Sequence, residues 1–397
     1  MTDFRRSRRA SNLALSEIVR ISEAARALRA EGRDVLTFGT GEPDFPTPPH
    51  VIEAAHRAAL NGETTYPPTQ GTPALRAAIA ESAGFAADPG QVLVSTGAKQ
   101  VIANAFLATL DPGDEVILPA PYWTSYADIL TVCEAQLVAP RCGAETGFRL
   151  TAEALAAAIT PKTRWLLLNN PGNPSGALYA KEDLEALAEV LRDNPHVWVM
   201  ADEIYEHISF EPFTSFRNAA PDLAARTLVV NGASKAYAMT GWRLGWGIGP
   251  VPLIKAMVAV QGTSTSGASS ISQAAALAAL IGPQDLLAER CAAFRARRDM
   301  VVERLNAIPG IDCPEPGGAF YVFPSCAGLI GKLRPTGEVL ETDADVCDYI
   351  LSEVAVALVP GRAFGLPGHF RLSYAYSTDD LTEGLSRIAR AVAALKD

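Results

Sequence analysis

Most features that assign a chain to a special structural class are missing from these 397 residues. Cysteine is scarce. Cys133, Cys142, Cys291, Cys313, Cys326 and Cys347 form no C-x-x-C pair, and none stands at metal-ligand spacing from a histidine. That argues against a disulfide-stapled scaffold or a zinc site, and for reduced thiols in a cytoplasmic protein. No apolar run is long enough to span a bilayer, and no apolar segment follows the N-terminal arginines as a secretion signal would. Positive charge is in deficit: the formal net charge is −10, and the one basic cluster is Arg5, Arg6, Arg8 and Arg9, read as a solvated arm. Neither nucleic acid nor a membrane is an expected partner. Internal repeats and low-complexity tracts are also absent.

What is present is a long chain with 48% hydrophobic residues, enough for a large domain and a smaller one. The pattern predicts a helix over Leu13–Ala30, a short strand at Val35–Phe38 and helices at Pro49–Leu60 and Pro73–Ser82. Strands and helices then alternate. Gln91–Ser95, Glu115–Leu118, Trp165–Leu168, Val197–Met200, Thr227–Val230 and Leu244–Ile248 read as strands. Ala98–Leu110, Tyr122–Leu130, Lys181–Leu191 and Ser272–Ile281 read as helices. Apolar strands separated by helices indicate a mainly parallel sheet between helical layers, an α/β fold. From Cys291 the pattern changes to a long Arg-rich helix, strands at Ala319–Phe323, Ala357–Val359 and Phe370–Tyr374, and a closing helix from Asp379. This is an α+β lobe. The expected division is a large domain over 48–290 and a small domain of 1–47 plus 291–397.

In a parallel sheet, ligands bind beyond the carboxyl ends of the strands. The polar residues just past those ends are therefore the candidates. Thr96-Gly97-Ala98 turns from a strand into a helix, where a glycine and unpaired N–H groups suit a phosphate; an ordinary turn is the plain alternative. Lys99 opposes the helix dipole, which a nearby anion would explain. Asp202 ends an apolar strand and is either an N-cap or a carboxylate for a protonated ring nitrogen. Tyr205 follows three residues on, within reach of the same ligand if the chain is helical there. Lys235 sits past another strand, with Arg243 eight residues later; a neighbouring cation and a desolvated cleft would make its amine a ready Schiff-base former. Asn173 is a turn residue or a ligand group. Arg371 is an edge-strand charge or a fork for a carboxylate, and Trp123 belongs to the core or stacks on a planar ring.

Together these residues resemble the fold-type I enzymes that depend on pyridoxal phosphate (PLP), and specifically the class I aminotransferases. The motif Ser234-Lys235-Ala236-Tyr237-Ala238-Met239-Thr240-Gly241-Trp242-Arg243 is similar to that family's cofactor-lysine signature. Gly41-Glu42-Pro43-Asp44-Phe45, Asn170-Pro171-Gly172-Asn173-Pro174-Ser175-Gly176, Asp202-Glu203-Ile204-Tyr205 and Phe370-Arg371-Leu372-Ser373-Tyr374 match in the same order. Gly97-Ala98-Lys99-Gln100 and Pro121-Tyr122-Trp123 resemble the bacterial aspartate/prephenate branch. The resemblance implies a mainly parallel seven-stranded sheet in the large domain, with a smaller α+β domain. It implies that Lys235 carries the cofactor and moves a proton between the substrate α-carbon and the cofactor. Asp202 would pair with the ring nitrogen, Tyr205 and Asn173 with the ring oxygen, and Trp123 with the ring face. Gly97, Ala98, Lys99, Ser234 and Arg243 would surround the phosphate. Arg371 would grip the substrate α-carboxylate with Asn173, Trp123 and the Gly41 backbone. Tyr66 would reach the phosphate in a partner subunit, making the protein a homodimer with shared sites.

Lys99 is associated in that branch with a distal carboxylate, which implies aspartate or glutamate as substrate. The branch's Lys-Pro-Ser-Ala-Thr-like run over the site reads Ala14-Leu15-Ser16-Glu17-Ile18 here, and an apolar lid residue suits an aromatic, prephenate or other apolar substrate instead. Rival functions on the same fold are a PLP lyase, decarboxylase or ring-forming synthase, and a non-catalytic PLP sensor. The sensor reading needs an added DNA-binding domain, for which about ten residues before the resemblance leave no room. A purely structural α/β protein would require every strand-end match to be accidental.

Overall fold

The computed structural model describes residues 4–13 and 17–397. Its centre is built from short aliphatic runs. The strands are β1 Leu36–Thr37, β2 Val92–Ser95, β3 Glu115–Ile117, β4 Gln136–Val138, β5 Thr163–Asn169, β6 Trp198–Asp202, β7 Thr227–Gly232, β8 Gly245–Ile248, β9 Tyr321–Val322, β10 Val356–Ala357, β11 Val359–Pro360 and β12 Phe370–Ser373. Every residue of β2, β7 and β8 is buried. Strands apolar on both sides can be satisfied only between two covering layers, and that is how they lie.

Seven of them form one sheet in the order β2-β8-β7-β6-β5-β3-β4. The run β7-β6-β5-β3-β4 is parallel, and β8 is antiparallel to both of its neighbours. One face packs on the helix Lys181–Arg192 through Leu184, Leu187, Ala188 and Leu191. The other packs on the helices Ala98–Thr109 and Val251–Ser264 through Val101, Ile102, Phe106, Ile254 and Met257. A separate core gathers around Phe294, Phe320, Tyr349 and Tyr374, between the helices Asp285–Asn306, Asp343–Val354 and Thr378–Ala393. There β11-β12-β9 form an antiparallel sheet, while β1 pairs in parallel with β10, tying the start of the chain to its last hundred residues.

Several expectations are corrected in detail. The helix expected from Leu13 is described over Glu17–Ala30, and 14–16 lie outside the described residues. The helix expected at Tyr122 begins at Thr124, because Trp123 keeps an extended backbone and serves as its N-cap. The strand expected over Ala357–Val359 is two strands, β10 and β11, which join different sheets. The strand β4 and the helices Ala152–Ala158, Val251–Ser264 and Asp343–Val354 were not distinguished by periodicity. The helix Val251–Ser264 is apolar almost all round, so it lacks the two-faced signal that reveals a surface helix. Among the described residues, no single helix is long and apolar enough to cross a membrane.

The sheet and its covering helix meet most closely at Gly245 in β8. A Cβ there would run into the backbone nitrogen of Ala98, with Gly97 C at 2.7 Å and Ala98 Cα at 2.8 Å. Backbone atoms at a helix start cannot swing aside as a side chain does. Gly245→Ala is therefore expected to destabilise the protein by about 2 kcal/mol or more in urea unfolding. Gly241→Ala, where a Cβ meets nothing within 4 Å, is expected to change stability by less than about 0.5 kcal/mol.

Candidate active site

The parallel strands end side by side, so the residues after them converge. Asn169 closes β5 and Asp202 closes β6, paired in register across the sheet. Chain leaving β7 carries Ser234 and Lys235, and chain leaving β2 carries Gly97 and Ala98. These ends open on a cavity of about 570 Å³. Of the residues singled out from sequence, Ala98, Lys99, Trp123, Asn173, Asp202 and Tyr205 line it. So do Ser234, Lys235, Arg243, Arg371 and Gly41. Gly97 stands directly behind the wall: a Cβ on it would lie 2.6 Å from Arg243 Nη2. Tyr66 is not brought to this cavity and is 93% exposed.

Lys235 Nζ donates to the Gly41 carbonyl at 2.5 Å. Burial pushes its amine down to about 8; Arg371 and Arg243 push the same way, while Glu42 and Asp202 oppose. A cationic neighbour was anticipated in Arg243, yet Arg371 contributes more of that effect and burial more than either. An amine so poised loses its proton more readily than an ordinary lysine and can act as nucleophile or base.

Asp202 caps no helix. It is the last residue of β6, is 3% exposed, and its Oδ2 accepts from Tyr126 Oη at 2.6 Å while Oδ1 accepts from the Ile204 N–H at 3.3 Å. Burial raises its carboxyl to about 6, against the opposing pull of these donors and of Lys235. Tyr205 follows in a hydrogen-bonded turn rather than a helix, so its reach into the cavity comes from the turn and not from helical spacing. Its hydroxyl shares a 2.9 Å hydrogen bond with that of Tyr321, and burial holds the phenol well above its ordinary range.

Arg371 is no edge charge. It lies on β12, the middle strand of its sheet, and is 2% exposed. Its Nη1 donates to Asn173 Oδ1 at 2.8 Å and its Nη2 to the Gly39 carbonyl at 2.5 Å, while Nε, fully buried, has no partner among the described residues. Tyr321 and Phe364 lie against the guanidinium at 4.7 and 4.9 Å. Lys99, exposed at the mouth, rests over the Trp123 ring at 4.8 Å, and burial and then Arg243 lower its amine. Four cationic side chains (Lys99, Lys235, Arg243 and Arg371) thus face two carboxylates, Glu42 and Asp202, around one cavity. Such an excess suits an anionic occupant.

Sequence reasoning missed Tyr126 and Tyr321. Tyr126 lies one helical turn beyond Trp123, so shared facing was a usable signal. Tyr321 carried none, being one aromatic among several in a strand. Glu42, Ile18 and Ser22 also line the cavity. Since the Tyr126 hydrogen bond lowers the Asp202 pKa, Tyr126→Phe is expected to move that carboxyl further up from about 6. A pH titration of isotope-labelled aspartate by NMR in the cofactor-free protein checks this, and a downward or absent shift contradicts it.

Comparison with known proteins accords with this geometry. Residues 33–388 match the family model described as aminotransferase class I and II. Aspartate aminotransferase from Rhizobium meliloti (strain 1021) is 54% identical over 394 residues, covering 98% of this chain and 96% of the relative. Aspartate/prephenate aminotransferase from Cereibacter sphaeroides is 48% identical over 386 residues, 96% of each chain. A crystal structure of the Rhizobium meliloti aspartate aminotransferase superposes with a TM-score of 0.97 at 53% identity, over 99% of this chain and 100% of the other. The Thermus thermophilus aspartate aminotransferase with maleate superposes with a TM-score of 0.91 at 39% identity, over 98% and 100%. The chain belongs to the class I and II aminotransferases, enzymes that move amino groups with pyridoxal phosphate.

Proposed function

We propose that this aminotransferase uses aspartate and 2-oxoglutarate, with Lys235 as the residue that holds PLP. The observation that carries the reading is the chemistry of the cavity. It combines a depressed lysine amine, a buried carboxylate on the same cavity and an excess of cations. The residues fit the cofactor. A buried Asp202 raised to about 6 is an anion in want of a cationic N–H partner, which a protonated ring nitrogen supplies. The glycine cradle at Gly97, with Ala98, Ser234 and Arg243 around the start of a helix, fits a phosphate. When bound, PLP supplies an electron sink for charge left at the substrate α-carbon.

The chain's own groups do the rest. Arg371, rigid between Asn173 and Gly39 and with Nε unpaired, binds the α-carboxylate. Lys235 Nζ would take the substrate α-proton and give it back, acting as base and then as acid. Asp202, held in place by Tyr126, would pair with a protonated ring nitrogen of the cofactor. Tyr205 and Asn173 would hold its ring oxygen, and Trp123 its ring face. Lys99, close to Trp123, takes the distal carboxylate. Maleate, present with the Thermus thermophilus relative, is a dicarboxylate and supports an acidic substrate.

A second reading has its own observation. Ile18 lines the cavity and places an apolar side chain near the substrate, which favours prephenate or an aromatic substrate. The aspartate/prephenate relatives support one site serving both. We further infer a homodimer, supported by the exposure of Tyr66, which is free to reach a partner's phosphate. Two working lobes, 48–290 against 1–47 plus 291–397, and a cytoplasmic location, consistent with six free cysteines, complete the reading.

The test is a half-reaction screen that follows the cofactor absorbance as each amino acid is added. Aspartate and glutamate are expected to convert it, and aspartate with 2-oxoglutarate to yield oxaloacetate and glutamate. No turnover of aspartate beside good activity on phenylalanine or alanine overturns the acidic-substrate reading. Lys235→Ala is expected to leave no cofactor attached after borohydride reduction and to lower transamination by about a thousandfold or more.

A further inference from the structure

The hydrogen bond between Lys235 and Gly41 joins two loops, 39–47 and 233–243, that are far apart in sequence. The second holds Ala238 and Arg243 at φ of 53° and 56°, left-handed values that cost a side-chain-bearing residue about 1 kcal/mol each and persist only under outside constraint. Some constraint comes from within the pair: Thr240 Oγ1 donates to Glu42 Oε1 at 2.8 Å, and Thr47 Oγ1 donates to the Ala238 carbonyl at 2.8 Å. Further contacts come from a third element: Tyr237 Oη donates to Gln284 Oε1 at 2.7 Å, at the N-cap of the helix Asp285–Asn306. Arg290, on the helix Asp285–Asn306, donates from Nη1 to the Ala236 carbonyl at 3.1 Å and from Nη2 to the Pro46 carbonyl at 2.7 Å. Ala236 is the residue after Lys235, and Pro46 lies on the loop that presents Gly41.

The same guanidinium lies 5.2 Å from the Phe45 ring. Arg297, two turns along the helix, pairs with Asp44 at 2.8 Å and lies 5.4 Å from the same ring. The 44–46 segment is thus fastened to the helix, and Arg290 is a side chain of that helix that hydrogen-bonds both loops at once. A planar fork spanning two carbonyls fixes distance and orientation together, which a lysine ammonium cannot do.

We propose that Arg290 is a positioning residue for Lys235: one guanidinium fastens the loop bearing the amine to the loop whose carbonyl receives it. The inference rests on the reading of Lys235 as the cofactor lysine. Burial is the largest cause of the amine's depression to about 8. Releasing the two loops admits water, and the amine rises toward its ordinary value. Of the other groups that face it, Asp202, Tyr205 and Arg371 lie outside the two loops and stay in place, while Glu42 and Arg243 ride on the loops and move with them.

The test uses the full chain stripped of cofactor. PLP is added between pH 6 and 10, and the rate at which the cofactor attaches is followed by absorbance. Arg290→Met keeps helix propensity while removing both bonds. Its profile is expected to shift up by about half a pH unit or more, with attachment at pH 7 about threefold slower. Arg290→Lys, able to hold one carbonyl at a time, is expected to shift less. Arg295→Met is the control: Arg295 contacts Phe210 and its carbonyl, and neither loop. An unshifted Arg290→Met profile, or a shift shared equally by Arg295→Met, overturns the proposal. If Arg290→Met does not fold, an unshifted Arg290→Lys profile overturns it. Failure of the underlying reading is distinct, because wild-type protein would then not attach the cofactor at all.

Discussion

An amine and a carbonyl 194 residues apart, Lys235 Nζ and Gly41 O, meet at the centre of this molecule. Their contact requires that the end of β7 face the loop 39–47. The parallel sheet supplies the first half of that requirement, because parallel strands discharge their polar ends on one side. The pairing of β1 with β10 supplies the second, holding the segment before that loop against the chain around Val356–Ala357. Asp202, Arg371 and the Gly97 turn each reach the same cavity by one of these two routes.

The electrostatics follow from enclosure. Burial is the leading cause of the shifts at Lys235, Asp202, Tyr205 and Arg371 alike, and specific partners then adjust each one. A buried amine loses its proton more readily, while a buried carboxyl holds its proton longer. The two shifts converge, leaving Lys235 near 8 and Asp202 near 6. Groups so tuned are suited to proton transfer near neutral pH. Arg371 shows the other consequence. Its fork is held before any substrate arrives, so little ordering cost remains when a carboxylate binds.

The start of the helix Glu17–Ala30 shows how local sequence and assembled structure share control of the same cavity. Glu17 accepts from Arg362 at 2.7 Å and from Arg20 at 2.9 Å, which sets the start of the helix Glu17–Ala30 over the cavity. These arginines, with their own bonds to Glu17, hold its carboxyl below the usual range despite burial. Ile18, next in the chain, turns to the cavity. An apolar residue at the rim of a cationic site is the one feature that pulls against a purely acidic substrate.

By itself the sequence determined the strand-helix alternation, the polar residue after each strand and the motif around Lys235. The first two are local properties readable from hydrophobic period and spacing, while the family and its cofactor chemistry were indicated by the resemblance of the motifs to a known family. Only the tertiary structure decided which partner each residue has. That Arg371 sits on a middle strand, that Tyr126 supports Asp202, that Tyr321 meets Tyr205 and that Arg290 spans two loops all depend on register and crossing between distant segments. No local pattern encodes such contacts, because each is fixed by how whole layers pack. The helix Val251–Ser264 and the break between β10 and β11 escaped for the same reason: apolar almost all round or very short, they have no period of their own, and the layers around them give them their form.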